Sequence, residues 1–222
     1  MRKETLEKFL EEIDAKQNMA YKKIRLFQPD QIKKLSKKQK QWFVKVFYHT
    51  RGHFDRLLWI RFVHAPTAKD KRKILHYMAE EAGLENLSSH KNLRSHELLF
   101  ADFAKSLGVE LTPELTEREG FLPFVHEFSD GLVKWFREHD WESGLVGFSA
   151  YERLDNLDYA FMYDTARALG VRGRALTFFE VHRQADHFKK TSGDLPRIWE
   201  KNPAKVRTAF RFIYSHQLTM WQ

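Results

Sequence analysis

Apolar residues recur every three or four positions along most of the chain, which is the spacing of an α-helix and not of a β-strand. From Ser36 to His64 this spacing continues without proline and with Gly52 as the only glycine, so we expect one long helix bent at Gly52. Its periodic positions are Trp42, Val46, His49, His53, Leu57, Ile60 and Val63. A shorter helix is predicted over residues 2–16, where the periodic positions are Leu6, Phe9, Leu10 and Ile13.

Glycine, proline and capping residues divide the rest of the chain into further helices. The predicted helices are about 68–82, 95–107, 119–139, 145–169, 173–189 and 203–221, several of them followed directly by a glycine. No strand pattern and no internal repeat accompany them. The prediction is an all-α protein with one bundle of about seven helices, comprising residues 1–222 as one domain with an N-terminal helix and loop over 1–30.

The amino-acid composition is consistent with long helices and excludes several classes of function. The chain has 19 Phe, 7 Tyr and 6 Trp but only 10 Gly and 6 Pro, so it has bulky core residues and few helix breakers. It contains no Cys, which excludes disulfides, thiolate metal sites and every mechanism that needs a cysteine nucleophile.

The net charge of +8 is most concentrated in a group of lysines near the start of the long helix. These are Lys33, Lys34, Lys37, Lys38 and Lys40. Acidic residues are spread through the rest of the chain, so we interpret this group as a solvated helix start and do not expect a nucleic-acid partner. No apolar run approaches the roughly 18 residues of a membrane span, and the amino terminus has no signal-like segment. We therefore expect a soluble, cytoplasmic protein without a membrane partner.

Candidate chemistry lies in the stretch FFEVHRQADHF, residues 178–188. A helix advances about 100° per residue, so His182, Asp186 and Lys189 share a face, whereas His187 lies about 140° from His182. Glu81, His96 and Glu152 stand on three other predicted helices within apolar patterns. Histidine and carboxylate without sulfur are typical ligands of non-haem iron or manganese, and helical bundles present such ligands inward.

Each of these residues also has a purely structural interpretation. A single histidine on an apolar face is usually a hydrogen-bonded core residue, and a buried Glu usually pairs with Arg or Lys. His49 and His53 have a metal-binding spacing as well, but no carboxylate accompanies them, so we expect them to line a pocket.

The whole set of motifs resembles the haem-oxygenase-like diiron oxidases, which share a fold with thiaminase II and pyrroloquinoline quinone synthase. The likeness runs from about residue 45 to the carboxyl end. The family pattern is Glu before a Gly-containing loop, His before a Leu-Gly helix end, Tyr-Glu in a long helix, and Phe-Phe-x-x-His-x-x-x-Asp-x-x-His. The segments EEAG, SHELLFADFAKSLG, SAYERL and FFEVHRQAD match it with Glu81, His96, Glu152, His182 and Asp186.

The resemblance implies a haem-oxygenase-like bundle over residues 31–222 that binds Fe(II), two ions in the family, with O2 as co-substrate. It implies a peroxo-iron intermediate that oxidises a small amino-acid-like or carboxylate substrate by desaturation, C–C cleavage or N-oxygenation. Glu81, Glu152 and Lys189 are then the candidate catalytic residues, and Tyr151 and Tyr159 could supply hydrogen bonds or electrons. An external electron donor and a homodimer stay open.

Two positions depart from the family pattern. The loop before His96 is longer than expected, which makes His90 a rival ligand, although the Leu-Gly spacing favours His96. The last family histidine is replaced by Lys189, and an ammonium group has no lone pair for a metal. Three interpretations follow: the second metal is missing or transient, which requires no distortion; His187 takes the position by local unwinding; or Lys189 pairs with a substrate carboxylate.

Other functions are also compatible with parts of the sequence. A cofactor-free oxidase of the pyrroloquinoline quinone synthase type would use the same bundle, and Lys189 and the positive charge favour it, whereas the three carboxylates oppose it. A non-enzymatic module that binds an acidic partner through the lysine-rich helix start is the second alternative. Thiaminase-like hydrolysis lacks its cysteine, and haem binding leaves the carboxylates unexplained.

Overall fold

The computed structural model describes residues 4–84, 94–184 and 187–222, and within these ranges the chain forms helices and no strand. The α-helices are α1 (Leu6–Tyr21), α2 (Pro29–Ile32), α3 (Lys37–Arg51), α4 (Phe54–His64), α5 (Ala68–Glu81), α6 (His96–Ser106), α7 (Pro113–Thr116), α8 (Pro123–Glu138), α9 (Trp141–Ala168), α10 (Thr177–Gln184), α11 (His187–Thr191), α12 (Leu195–Lys201) and α13 (Pro203–Trp221). The all-α prediction is confirmed, with more and shorter helices than expected.

The chain divides into two compact units. The first unit contains Met1–Lys34, Glu142–Gly170 and Phe179–Gln222, and the second contains Leu35–Trp141 and Val171–Phe178. The N-terminal helix α1 therefore belongs to the same unit as the C-terminal helices.

Aromatic packing and one polar network hold α1 inside the first unit. Phe9 of α1 stacks on Trp199 with ring centroids 5.3 Å apart and meets Phe210 edge-on at 5.8 Å. The hydroxyl of Tyr214 donates to Asp14 at 2.5 Å, and Arg153 donates to the same carboxylate at 2.9 Å. One carboxylate on α1 thus connects α9 and α13, and the four periodic apolar residues predicted for α1 are buried.

Helix α9 runs antiparallel to the segment formed by α10 and α11. The Ser149 hydroxyl donates to the carbonyl of Thr191 at 2.9 Å. Farther along α9, Tyr163 lies under the guanidinium of Arg183, with 4.0 Å between the ring centroid and Cζ. Because later residues of α9 meet earlier residues of the partner segment, the two run in opposite directions.

The second unit is centred on a cluster of phenylalanine rings. Phe47 of α3 lies 5.6 Å from the ring of Phe100 on α6 and 6.1 Å from that of Phe178. Phe103 completes the cluster at 6.4 Å from Phe47. Phe47 and Phe103 are completely buried. The apolar spacing of α3 and α6 thus forms this core directly.

The predicted long helix is instead two helices, and the expectation of one bent helix is wrong at Gly52. α3 ends at Arg51, and α4 begins at Phe54. A Cβ atom on Gly52 would lie 2.7 Å from the ring of Phe121, so glycine allows this ring to pack against the break. Trp42 is 53% exposed and Val63 56%, so these two predicted inward positions are wrong. The predicted positions His49, His53, Leu57 and Ile60 are buried.

Several predicted helix ends are confirmed. The Thr67 side chain accepts a hydrogen bond from the Asp70 amide at the start of α5, and Gly83 follows its end with a φ of 74°. The last helix has its predicted bounds, Pro203–Trp221. By contrast, α8 begins at Pro123 and α9 already at Trp141, and α12 was not expected. Proline at the first helical turn explains both α8 and α12.

Candidate functional site

Glu81 and His96 form a hydrogen-bonded pair in the second unit. Nδ1 of His96 lies 2.7 Å from Oε2 of Glu81. Glu81 is the last residue of α5, and His96 is the first residue of α6, where Ser95 provides the N-cap. Two predicted ligands from separate helices are therefore brought together. Glu81 is half-buried, with 25% of its side chain exposed.

The helix ends on which this pair stands do not favour the charge of the Glu81 carboxylate, nor would they favour a protonated His96. A helix carries partial negative charge at its C-terminus and partial positive charge at its N-terminus. Glu81 therefore adds negative charge to the negative end of α5, whose last turn has no basic residue. A protonated His96 would add positive charge to the positive end of α6. A bound cation would relieve the first of these conflicts, and a neutral imidazole avoids the second.

Burial and the carboxylates around this pair raise the pKa values of two further residues, Tyr48 on α3 and Asp55 on α4. Burial raises the pKa of Asp55, and the carboxylates of Glu81 and Glu97 raise it further, although Asp55 keeps contact with solvent. Burial, together with Glu97 and Asp55, raises the pKa of Tyr48 to about 12. Asp55 carries no signal of this role in the sequence, because an acidic residue in the first turn of a helix is the normal complement to the helix dipole.

The first unit contains Glu152 on α9 and His182 on α10. Glu152 is 5% exposed, as its apolar surroundings in the sequence predict. The ring of His182 stacks on Tyr159 of α9 with centroids 4.2 Å apart and an interplanar angle of 18°. Tyr159 is itself buried, so its ring fixes the plane of the imidazole against α9.

His187 lies closer to His182 than the helical geometry predicted. Their ring centroids are 6.4 Å apart, and His187 is half-buried. Lys189 is exposed, so the expectation that it looks inward together with His182 is wrong. The helix predicted over 173–189 is a 3-10 turn at Gly173–Leu176 followed by α10 and α11. Asp186 and the rival ligand His90 lie outside the described residues.

The donor atoms at the Glu81–His96 pair fit an iron ion. Imidazole nitrogen and carboxylate oxygen are ligands that non-haem iron accepts, and here both occupy adjoining helix ends within hydrogen-bonding distance. In residues 4–84, 94–184 and 187–222, no three His, Asp or Glu side chains come together as a metal-binding group. The pair could thus supply two ligands, and an iron ion needs more.

Hydrogen bonds and ring stacking hold the side chain of His49 in a structural role. Its Nε2 lies 2.9 Å from the carbonyl of Leu115, and its Nδ1 accepts a hydrogen bond from the Leu122 amide at 3.2 Å. The ring also stacks on Phe121 at 4.4 Å. Desolvation by burial lowers the pKa of His49, against a smaller raising effect from the bond to Leu115. Both nitrogens are engaged, which leaves no lone pair for a metal.

The candidate ligands are consistent with a comparison of the sequence with known families. Residues 41–188, more than half of the chain, match the family described as iron-containing redox enzymes. The chain belongs to this family. The matched range contains every candidate ligand from Glu81 to His187, so the resemblance stated from the motifs is confirmed at the level of the family.

Solved structures confirm that this member of the iron-containing redox enzyme family has a haem-oxygenase-like fold. A domain of unknown function with a haem oxygenase-like fold from Shewanella denitrificans is 13% identical, with a TM-score of 0.70 over 99% of this chain and 91% of that chain. A CADD-like protein of unknown function from Nostoc punctiforme is 14% identical, with a TM-score of 0.69 over 96% of this chain and 95% of that chain. No curated protein matches the sequence. None of the helices described is long and apolar enough to cross a membrane.

Proposed function

We propose that this member of the iron-containing redox enzyme family is an O2-dependent non-haem oxidase or oxygenase that binds two iron ions. Its substrate is a small amino-acid-like or carboxylate molecule, which it changes by desaturation, C–C cleavage or N-oxygenation. The observation that carries the proposal is the 2.7 Å contact between His96 and Glu81, because it joins two of the expected ligand types from separate helices.

The proposed ligands of the second unit are Glu81 and His96. In the absence of metal, a hydrogen bond between imidazole and carboxylate keeps the two donor atoms close together. A metal ion requires the same lone pairs, so its binding displaces the proton that the pair holds. Asp55 and Glu97 add negative charge around the pair, which favours a cation there.

The proposed ligands of the first unit are Glu152, His182, Asp186 and His187. Glu152 is buried, and its carboxylate oxygens are ligands that non-haem iron accepts. Tyr159 holds the ring of His182 by stacking, which restricts the directions in which its nitrogens point. Such restriction of a ligand by its neighbours is a usual feature of metal sites.

Bound iron would supply the activation of O2 and the oxidation of the substrate. The protein residues would hold the ions, orient the substrate and limit access of water. Phe148 and Tyr159, both buried on α9 beside Glu152 in the helical pattern, are suited to the last of these tasks because they present apolar surface. Lys189 is exposed and can meet an incoming carboxylate group from the solvent side.

Oxygen consumption tests this proposal. The protein is loaded anaerobically with Fe(II) and then mixed with O2, ascorbate and panels of amino acids and of short to medium carboxylic acids. We expect one class of substrate to raise oxygen uptake above the rate without substrate, and a chelator to abolish the increase. His182→Ala should lose it, whereas the exposed His64→Ala should retain it.

Two results would exclude the iron oxidase. Uptake that persists in chelated, iron-free protein would indicate a cofactor-free oxidase of the pyrroloquinoline quinone synthase type. Absence of uptake, together with salt-dependent binding of an acidic partner, would indicate the non-enzymatic module.

A further inference from the structure

Arg61 is a buried guanidinium in the second unit. It lies in the last turn of α4, and only 3% of the residue is exposed. Its Cζ atom is 3.9 Å from the ring centroid of Trp141, which places the cation against the indole face. An aromatic face attracts a cation, but it does not take the place of the hydrogen-bond acceptors that the five N–H donors of arginine require.

Those acceptors are absent from the described part of the chain. Nε of Arg61 is sealed from solvent without a hydrogen-bond partner. Arg61 likewise forms no ion pair and no hydrogen bond with any residue in 4–84, 94–184 or 187–222. Arg56, on the same helix, behaves differently, because it donates to Asp130 at 3.2 Å and to Ser129 at 3.4 Å.

A buried charge without a partner is costly, and buried arginines are normally paired with carboxylate or phosphate. The negative end of α4 and the ring of Trp141 offset part of this cost, and Asp70 and Tyr77 attract the cation from farther away. Burial lowers the pKa of Arg61 to about 10, so the guanidinium still carries its charge at neutral pH. None of these groups accepts a hydrogen bond from Nε of Arg61.

We propose that Arg61, held by Trp141, binds a small oxyanion that the described residues do not supply, either the carboxylate of a small molecule or a phosphate group. The planar guanidinium matches both groups with two parallel hydrogen bonds, and a desolvated setting strengthens each of them. None of the candidate iron ligands enters this argument, so it does not depend on the proposed function.

Thermal unfolding of the metal-free protein tests this site with two probes, inorganic phosphate and propionate. Each is titrated at constant ionic strength against chloride. We expect at least one of them to raise the Tm of the wild type progressively, because a ligand that binds only the folded state stabilises it. Phosphate alone would identify a phosphoryl ligand, and propionate alone a carboxylate.

Arg61→Met removes the charge and keeps much of the side-chain volume, and it should abolish the rise in Tm. Arg56→Met, on the same helix, should retain it. In chloride buffer Arg61→Met should melt no lower than the wild type, because it removes an unpaired buried charge. Should Arg61→Met fail to fold, Arg61→Lys keeps the charge but loses the two-bond geometry and should weaken the apparent affinity at least about tenfold.

The proposal is overturned when neither anion raises the Tm of the wild type above the chloride control. It is equally overturned when the rise is the same in the wild type and in the Arg61 variant. In either case Arg61 would be a structural cation held by Trp141 alone.

Discussion

His96 and Glu81 share a hydrogen bond of 2.7 Å, although the Glu81 carboxylate stands at the negative end of α5 and His96 at the positive end of α6. A pair selected for stability alone would gain from the opposite arrangement, with the acid at the start of α6 and the base at the end of α5. The arrangement that is present suits a cation placed between two donor atoms.

Removal of either partner should therefore weaken iron binding more than it weakens folding. We expect His96→Ala and Glu81→Ala each to lower the affinity for Fe(II) at least roughly tenfold, since even indirect partners of metal sites have effects of that size. The free energy of unfolding of the metal-free protein should fall by only about 0.5–1.5 kcal/mol, the net value of one hydrogen bond, because both side chains are partly exposed. Anaerobic titration and chemical denaturation measure the two quantities.

Equal loss of affinity in Glu97→Ala would contradict this assignment to Glu81. Glu97 is the adjacent exposed carboxylate on α6 and is the matched control. Its removal should change iron binding only through the local charge.

The buried His49 should make stability depend on pH. Because burial lowers its pKa in the folded state below the unfolded value of about 6.5, the unfolded state binds more protons in this range. Stability should therefore be complete above about pH 6.5 and fall as the pH decreases toward the folded pKa. The decrease in Tm should be smaller in His49→Gln, whereas the exposed His64→Gln should follow the wild type.

Gly52 should not tolerate a side chain. Its Cβ would meet ring atoms of Phe121 at 2.7 and 2.9 Å, so Gly52→Ala must displace a ring that also stacks on His49. We expect a loss of about 1–3 kcal/mol in the free energy of unfolding, typical of overpacking. Gly193→Ala is the matched control, because its Cβ would meet nothing within 4 Å, and it should be neutral or slightly stabilising. A neutral effect at Gly52 would contradict the packing described at the break.

The number of iron ions bound distinguishes His187 from Lys189 as a metal ligand. The rings of His187 and His182 lie 6.4 Å apart, whereas Lys189 is exposed. We therefore expect His187→Ala to lower the iron content of the loaded protein and Lys189→Ala to leave it unchanged. Elemental analysis after anaerobic loading measures both. The reverse result would favour a role of Lys189 at the metal.

The sequence was sufficient to predict most helices, because their ends are determined by local chemistry. Thr67, Ser95 and the glycines at positive φ act within a few residues, so their effects can be predicted without the fold. The break between α3 and α4 was missed because it depends on Phe121, a residue distant in the chain. Long-range packing of this kind leaves no local pattern.

The same distinction applies to the candidate ligands. Motif spacing selected Glu81 and His96, and the structure brings them together. The inward position expected of Lys189 was wrong, since a uniform helical rotation does not describe the segment from Gly173 to Thr191. The unpaired burial of Arg61 could not be predicted either, because an arginine near the end of a helix is normally a solvated cation.

The central claim is that this chain binds iron through Glu81, His96, Glu152 and His182. Anaerobic titration of the metal-free protein with Fe(II), with bound iron counted by elemental analysis, tests it most directly. We predict about two ions per chain, as in helical diiron proteins, and a clear decrease in Glu152→Ala and in His182→Ala. The exposed Glu11→Ala should bind as much as the wild type. Failure of the wild type to bind iron, or equal binding by all variants, would contradict the claim.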